Sequence, residues 1–160
     1  MKKIINPWKE VDGYLCFACS PANPSGLCME FYEDGDDLVS FWKPTDYHQG
    51  WLNTLHGGIQ STLMDELAAW VIARKLQTTG VTSKMEIRFM KRISTDEPQL
   101  TIRGRIKDKK RNAVFVDTEI YNSAGELCTQ AGIIYFVVSP ERAGESFFFD
   151  GCHTEDEPVL

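Results

Sequence analysis

The sequence predicts an α+β domain in which one long helix packs against one face of a large antiparallel sheet. Two observations lead to this prediction. Residues 56–77 are apolar on nearly every side when plotted at about 100° per residue, as expected for a helix that is buried on most faces. The segments around this helix instead alternate apolar and polar residues, which is the pattern of strands.

The composition is that of one globular domain. The chain has 160 residues, of which 42% are hydrophobic and 25% charged, so disordered, collagen-like and coiled-coil chains are not indicated. The N-terminus has no apolar signal-peptide core, and no run of about 18 apolar residues occurs. The five cysteines are an odd number. We therefore expect a cytoplasmic protein with reduced thiols and no membrane contact.

We divide the chain into three parts. Residues 1–26 are rich in Pro, Gly, Asn and Cys, show no sustained period, and form an irregular lead-in. Residues 27–138 carry the domain. Residues 139–160 form an acidic tail, which we expect to be partly mobile, with a cluster of three phenylalanines that can dock on the domain.

A hairpin is predicted before the helix. Leu27, Met29 and Phe31 fall on one face, the sequence EDGD at 33–36 makes a turn, and residues 37–42 form the return strand. The Pro, Gly and Asn content of residues 43–55 predicts a loop. Gly80 stands just beyond the end of the helix, where glycine commonly terminates one.

Four strands are predicted after the helix. Three of them, over 81–89, 100–106 and 114–120, alternate cleanly, and the fourth, over 127–138, is apolar on both faces, which suits an interior strand. In the first of these strands one face is predicted to carry Val81, Ser83, Met85, Ile87 and Phe89.

Charge is distributed unevenly along the chain. The net charge is −6, but residues 84–111 hold ten Lys or Arg against four Asp or Glu, a local net of +6. An acidic chain is a poor candidate for sequence-independent nucleic-acid binding, whereas a local basic face can receive the phosphates of a small ligand. A solvated outer face of the sheet explains the same charges without any ligand.

The start of the helix has the features of an anion site. Gly57 and Gly58 precede its apolar stretch, and the free amides at a helix start favour a developing negative charge. Asp65 and Glu66 follow two turns later, about 100° apart around the axis, so the two carboxylates cannot line one cleft. A carboxylate in an otherwise buried helix must be hydrogen-bonded, paired or functional.

These residues resemble a known signature. LHGGIQSTLMDELAAW at 55–70 is similar to the HGG(x)nDE signature of hotdog-fold thioesterases of the phenylacetate-degradation type. CFACSPANPSGL at 16–27, HQGW at 48–51 and GVTSKMEIRFMKRI at 80–93 resemble the flanking segments, so the likeness spans roughly residues 14–138. The resemblance implies hydrolysis of an acyl-coenzyme A or acyl carrier protein thioester, without a cofactor beyond the coenzyme A of the substrate.

The resemblance also implies roles for individual residues. Asp65 would be the nucleophile or general base, Gly57 with Gly58 the oxyanion donor, His56 an orienting residue, and Thr82 a hydrogen-bonding partner near the carboxylate. Gly50 stands where relatives often have an amide side chain, and Gln49 or Asn53 would supply that contact. From charge alone, the basic face would bind the coenzyme A phosphates, with Arg88 and Lys91 as its contacts.

Helix geometry predicts a shared site. Gly57 and Asp65 are eight residues apart, or about 12 Å along one helix axis. A carbonyl group cannot bridge that distance, so the amides of one chain must work with Asp65 of another. We expect a homodimer, or a dimer of dimers, and the resemblance implies the same arrangement.

Two other functions remain open on sequence grounds. The first is a non-catalytic protein that binds acyl thioesters. The second is a hotdog dehydratase or hydratase, but that class pairs a loop histidine with a helix carboxylate, and Thr62 stands at the matching spacing after His48. Cys16 and Cys19 form a CxxC pair without a recognisable second half of a zinc site, so we predict packed thiols and no bound metal.

Overall fold

The computed structural model describes residues 1–158 and contains one seven-stranded antiparallel sheet with a long helix, α1, against it. In chain order, the strands are β1 (Lys2–Lys3), β2 (Tyr32–Asp34), β3 (Asp37–Trp42), β4 (Gly80–Phe89), β5 (Leu100–Lys110), β6 (Ala113–Tyr121) and β7 (Leu127–Val137). They pair in the order β1-β2-β3-β5-β6-β7-β4. The helices are α1 (Gly57–Leu76) and α2 (Pro140–Phe147), with a 3-10 turn at Asp46–His48. The predicted α+β class is confirmed.

The helix α1 has the position that its sequence predicts. His56 caps its N-terminus, and Gln77 ends it in a left-handed conformation with φ of 51°. The helix contacts every strand from β3 to β7, and its buried side chains are distributed around the axis. It lies close to the sheet at Gly104, where an added Cβ would come within 3.2 Å of the Leu67 side chain. The glycine in β5 therefore allows α1 to approach the sheet closely.

The first strand of the predicted hairpin is shorter than expected. Leu27, Met29 and Phe31 are buried, but β2 begins only at Tyr32. The backbone of Leu27 and Met29 instead pairs with the lead-in, through N–H donation to Phe17 and Ala18 carbonyls. The lead-in also supplies β1, an additional edge strand that the sequence did not predict.

The first strand after the helix contains a bulge, and as a result the side chains that face the core differ from the predicted set. The register of β4 against β7 shifts between Thr82 and Lys84, so one extra residue is inserted at Ser83. Met85 and Ile87 pack against the core as predicted. Thr82, not Val81 or Ser83, shares their face, because a one-residue insertion reverses which side chains point inward.

The C-terminal segment contains the second helix, which the sequence did not predict. Ser139 caps α2, whose N-terminal proline suits the first helical turn. Phe149 is buried, and the Trp8 indole N–H donates to the Phe147 carbonyl at 2.8 Å. Arg74 of α1 binds the Cys152 carbonyl at 2.8 Å. Both terminal segments are thereby held against α1. Within residues 1–158 we find no helix whose length and hydropathy would let it cross a bilayer.

Candidate active site

The entry to α1 is organised by the ring of His56. Its Nδ1 accepts a hydrogen bond from the Gly58 backbone N–H at 2.8 Å, which assigns the neutral tautomer with the proton on Nε2. The Gly58 amide is therefore engaged in capping and is not a free oxyanion donor, which corrects one sequence-based expectation. The Gly57 N–H, at the first position of the helix, has no acceptor in the part of the chain that the structure describes.

The two glycines face different neighbours. A Cβ at Gly58 would lie 3.0 Å from His56 Nδ1, so the capping ring occupies the space of a side chain. A Cβ at Gly57 would lie 3.3 Å from Cζ of Phe89, whose ring is about half exposed and able to shift. A small side chain at Gly57 is therefore tolerable, whereas a branched one meets the Phe89 ring.

Asp65 is held by two hydroxyl groups from the sheet. Thr82 Oγ1 donates to Asp65 Oδ1 at 2.8 Å, and the Tyr135 hydroxyl lies 2.7 Å from the same oxygen. The Tyr135 hydroxyl is also 2.8 Å from the Asp65 backbone carbonyl, so one proton serves two acceptors. Asp65 Oδ2 receives no donor from residues 1–158. The carboxylate is thus fixed through one oxygen while the other remains available for chemistry.

The sheet brings the two hydroxyls together. Thr82 on β4 and Tyr135 on β7 are directly opposite in the strand register, where cross-strand side chains on the same face come into contact. Tyr135 is buried, and desolvation together with the nearby Asp65 charge raises the pKa of its hydroxyl above the ordinary value. The hydroxyl therefore stays protonated and donates.

Sequence reasoning missed Tyr135. The signal was present, because Ala131, Ile133 and Tyr135 alternate along β7 and all three are buried. A tyrosine in such an inward-facing row needs a partner for its hydroxyl. That partner could not be identified before α1 was placed on β7.

Glu66 lies on another side of α1. The Trp70 indole N–H donates to Glu66 Oε1 at 3.1 Å, and Cys16 of the lead-in is the other neighbour of this oxygen. Burial, with a further contribution from the Cys16 sulfur, raises the pKa of Glu66 to about 7. The two consecutive carboxylates therefore occupy separate environments, as their angular separation predicts.

Gln49 and Asn53 lie together in the loop before α1. Gln49 Oε1 accepts from the Asn53 backbone N–H at 3.2 Å, and Arg92 donates to the Asn53 carbonyl at 2.7 Å. Both amide side chains are exposed. The loop passes beside the helix start, since a Cβ at Gly50 would lie 3.2 Å from the His56 ring.

Arg88 and Lys91 are not placed beside Asp65. Arg88 is opposite Gln130 in the register, on the outer face of the sheet, whereas Thr82 and Tyr135 face α1. Lys91 forms an ion pair with Glu126. Several other cations of the basic segment also have acidic partners, namely Lys84, Arg103, Arg105, Lys107 and Lys110. The local positive charge is thus largely neutralised within the protomer, which weakens the expectation of a phosphate-binding face.

Comparisons with known proteins found one matching family model and several similar solved structures. Residues 52–129 match the sequence model of the family described as Thioesterase superfamily, a span that includes Gly57, Asp65 and Thr82. A search of curated protein sequences found no match. Among solved structures, a hypothetical thioesterase from Streptococcus pneumoniae with coenzyme A is similar at 27% identity, covering 69% of this chain and 86% of that one, with a TM-score of 0.64.

Two further structures share the fold at lower identity. The smu.793 protein of Streptococcus mutans, bound to acetyl-CoA, is 20% identical over 69% of this chain and 89% of that one, with a TM-score of 0.62. Zebrafish thioesterase superfamily member 2 is 24% identical over 68% of this chain and 80% of that one, with a TM-score of 0.61.

Proposed function

We propose that this chain, which has the hotdog fold expected from its sequence, is a member of the thioesterase superfamily and hydrolyses an acyl thioester to a free acid and a thiol. The observation that carries the proposal is the Asp65 carboxylate, anchored through Oδ1 by Thr82 and Tyr135 with Oδ2 left free. The Gly57 amide supplies the second element, a backbone donor at a helix N-terminus.

In the proposed reaction, the thioester carbonyl oxygen accepts a hydrogen bond from the Gly57 N–H. Asp65 Oδ2 either attacks the carbonyl carbon, which gives a mixed anhydride that water then hydrolyses to the free acid and the regenerated carboxylate, or removes a proton from a water that attacks the carbonyl directly. In both routes the thiolate leaves and takes up the proton released from water. Negative charge develops on the carbonyl oxygen in both routes, and loss of one such donor in other enzymes costs about 2.7 to 4 kcal/mol. No metal or cofactor is required.

We propose that Gly57 and Asp65 of each site come from two protomers. The separation of about 12 Å along α1 places them too far apart within one chain, whereas antiparallel α1 helices related by a two-fold axis bring them together. The edge strand β4 supports this assembly, since it is ten residues long and has no strand partner on one side among residues 1–158. Val81 and Phe89 of β4 and Phe136 of β7 are exposed apolar residues, a combination that favours pairing with another chain.

For the substrate we propose an acyl-coenzyme A, with an acyl carrier protein thioester as the alternative. The pneumococcal relative with coenzyme A supports this choice. Gln49 and Asn53 are the proposed contacts near the carbonyl, because their loop adjoins the Gly57 end of α1. Lys91 could bind a phosphate only if its ion pair rearranged. Arg88 could bind one only from the outer face of the sheet. The phenylacetate-degradation type suggested by the motifs makes aryl-acetyl groups the first acyl class to test.

The test is a thiol-release assay over a panel of aromatic, short aliphatic and long aliphatic acyl-CoAs, with Asp65→Asn as the matched inactive control. We expect release with at least one acyl class by the unmodified protein and loss of that release in the variant. If calorimetry detects acyl-CoA binding but no thiol appears with any acyl-CoA or acyl carrier protein substrate, the chain is a binding protein and the proposal fails.

A further inference from the structure

A second cluster of reactive groups lies where the lead-in crosses α1. Cys16 and Cys19 bring their sulfur atoms within 3.3 Å, with Cys19 donating to Cys16 Sγ. The Tyr14 hydroxyl is 2.8 Å from Cys19 Sγ, and Cys16 Sγ is 3.5 Å from Glu66 Oε1. All five cysteines have free thiols. The proposed hydrolysis uses none of these groups.

The two thiols differ in accessibility. Cys19 is buried, whereas Cys16 is only partly buried. Cys16 and Glu66 line a cavity of about 440 Å³ that opens between the lead-in and the end of α2, bounded by Trp8, Leu15 and Phe148. A cavity of this size admits a small molecule, so a reagent can reach Cys16 while Cys19 stays behind it.

The two thiols also differ in acidity. The hydrogen bond from Cys19 is the largest influence on Cys16 and, against the opposing effect of burial, lowers the pKa of Cys16 to about 5. The same interaction, together with burial, raises the pKa of Cys19. Glu66, with its pKa raised to about 7 by burial, is the nearby group that can accept or return a proton. The accessible sulfur is therefore the more acidic of the two, and its thiolate is the nucleophilic form.

We propose that Cys16 and Cys19 form a dithiol redox site that exchanges with a low-molecular-weight disulfide. The Cys16 thiolate attacks one sulfur of the small disulfide, which forms a mixed disulfide and releases the first small thiol. Cys19 then loses its proton and attacks Cys16 Sγ, which closes the internal disulfide and releases the second small thiol. Counted from the dithiol, the protein loses two electrons and two protons, one when Cys16 ionises and one from Cys19, and the small disulfide takes them up to become two thiols.

A divalent metal is the alternative occupant, because Cys16, Cys19 and Glu66 offer ligand atoms that all lie within 4.8 Å of one another. Two sulfurs on one tetrahedral zinc, each about 2.3 Å from the metal, are about 3.8 Å apart. The observed 3.3 Å is shorter, and Cys19 Sγ already contacts the Tyr14 hydroxyl. The geometry thus favours direct sulfur–sulfur chemistry.

The test uses glutathione disulfide with the full chain in a Cys28→Ser background, because Cys28 is exposed and would react independently. Intact mass and peptide mapping are expected to show a Cys16–Cys19 crosslink, lighter by two hydrogen atoms and reversed by dithiothreitol. Cys19→Ser should retain one glutathione on Cys16, and Cys16→Ser should remain unmodified. The reaction rate should vary little between about pH 6 and 8, whereas an ordinary thiol accelerates about tenfold per pH unit there.

Three results would overturn the proposal. The first is an absence of crosslink in the protein with both cysteines, a measurement that does not depend on how well the serine variants fold. The second is stable glutathionylation of Cys16 while Cys19 is present. The third is about one zinc per chain in the purified protein with thiols that react only after chelation, which would make the cluster a metal site. None of these results depends on whether the chain hydrolyses thioesters.

Discussion

The Tyr135 hydroxyl lies 2.7 Å from Asp65 Oδ1 and 2.8 Å from the Asp65 carbonyl oxygen, so one buried side chain holds both the carboxylate and the backbone of the proposed catalytic residue. In Tyr135→Phe the ring and its packing remain, but the carboxylate loses one of two donors. We expect kcat to fall about 10- to 100-fold, or about 1.4 to 2.7 kcal/mol, with a smaller change in KM. Tyr47→Phe, at an exposed tyrosine, is the matched control. Unchanged kcat would remove Tyr135 from the site.

The two consecutive carboxylates, Asp65 and Glu66, are expected to differ in their importance for catalysis. Asp65→Asn removes the charged oxygen that the reaction needs and should lower kcat by at least a thousandfold, about 4 kcal/mol, without loss of fold. Glu66→Gln retains an acceptor for the Trp70 indole and should lower kcat much less. Steady-state thiol release and circular dichroism on both variants make the comparison, and equal losses of activity would reject Asp65 as the sole catalytic carboxylate.

Subunit complementation tests the shared site. Gly57→Val introduces a branched side chain against the Phe89 ring, and Asp65→Asn removes the carboxylate, so each homodimer is expected to be inactive. In a mixed dimer one site inherits both changes and the other neither, so random 1:1 mixing should restore about a quarter of the original activity.

The control for this experiment is the unmodified protein taken through the same dissociation and reassociation, with mixed dimers quantified by mass spectrometry. Activity no greater than the sum of the two variants, with mixed dimers present, would mean that each site is built within one chain.

The raised pKa of Glu66 predicts a pH-dependent stability. Its folded pKa of about 7 lies above the ordinary value of about 4.3, so folding favours the protonated form, and the free energy of unfolding should decline as pH rises through this interval. Glu66→Gln abolishes this titration. The free energy of unfolding of the variant, relative to that of the unmodified protein, should therefore increase by up to roughly 3 kcal/mol between pH 5 and pH 8.

Urea unfolding under reducing conditions measures this difference, and Glu145→Gln, at an exposed position of α2, is the control. A Glu66→Gln effect that is independent of pH would contradict the assigned protonation.

The ion pairs of Arg74 are expected to hold the C-terminal segment on α1. Arg74 binds Glu33 at 2.8 Å and Glu157 at 2.6 Å, with its side chain only 13% exposed. Arg74→Gln removes the arginine from Glu157 and one of the two cations from Glu33, which keeps Lys75, and we expect Tm at pH 7 to fall by several degrees. Lys2→Gln, which breaks an exposed pair with Asp156, should change Tm little.

The Tm difference between Arg74→Gln and the unmodified protein should become smaller at acid pH. Arg74 lowers the pKa of Glu157 to about 2 and contributes to the lowered pKa of Glu33, so their stabilising effect is present above about pH 4.3 and is lost as pH falls toward 2. Thermal unfolding at pH 7 and pH 3 checks this. A Tm difference that persists undiminished at pH 3 would show that packing, not charge, dominates.

The sequence by itself determined the features that depend on neighbours along the chain. Alternation identified the long strands, and the apolar residues around α1 identified a helix that a sheet must enclose. The resemblance around Gly57 and Asp65 located the proposed site, and the angle of about 100° between successive helical residues already separated Asp65 from Glu66. These signals are local, because each depends on residues a few positions apart.

Only the tertiary structure decided which side chains meet. The bulge at Ser83 turns Thr82 toward Asp65, although simple alternation places Thr82 on the opposite face. Tyr135 reaches Asp65 from seventy residues away along the chain, and His56 takes the Gly58 amide that the sequence had left free for substrate. The first two outcomes depend on strand register, which the residues of one segment do not specify alone, whereas the third is a local competition for one amide at the start of α1.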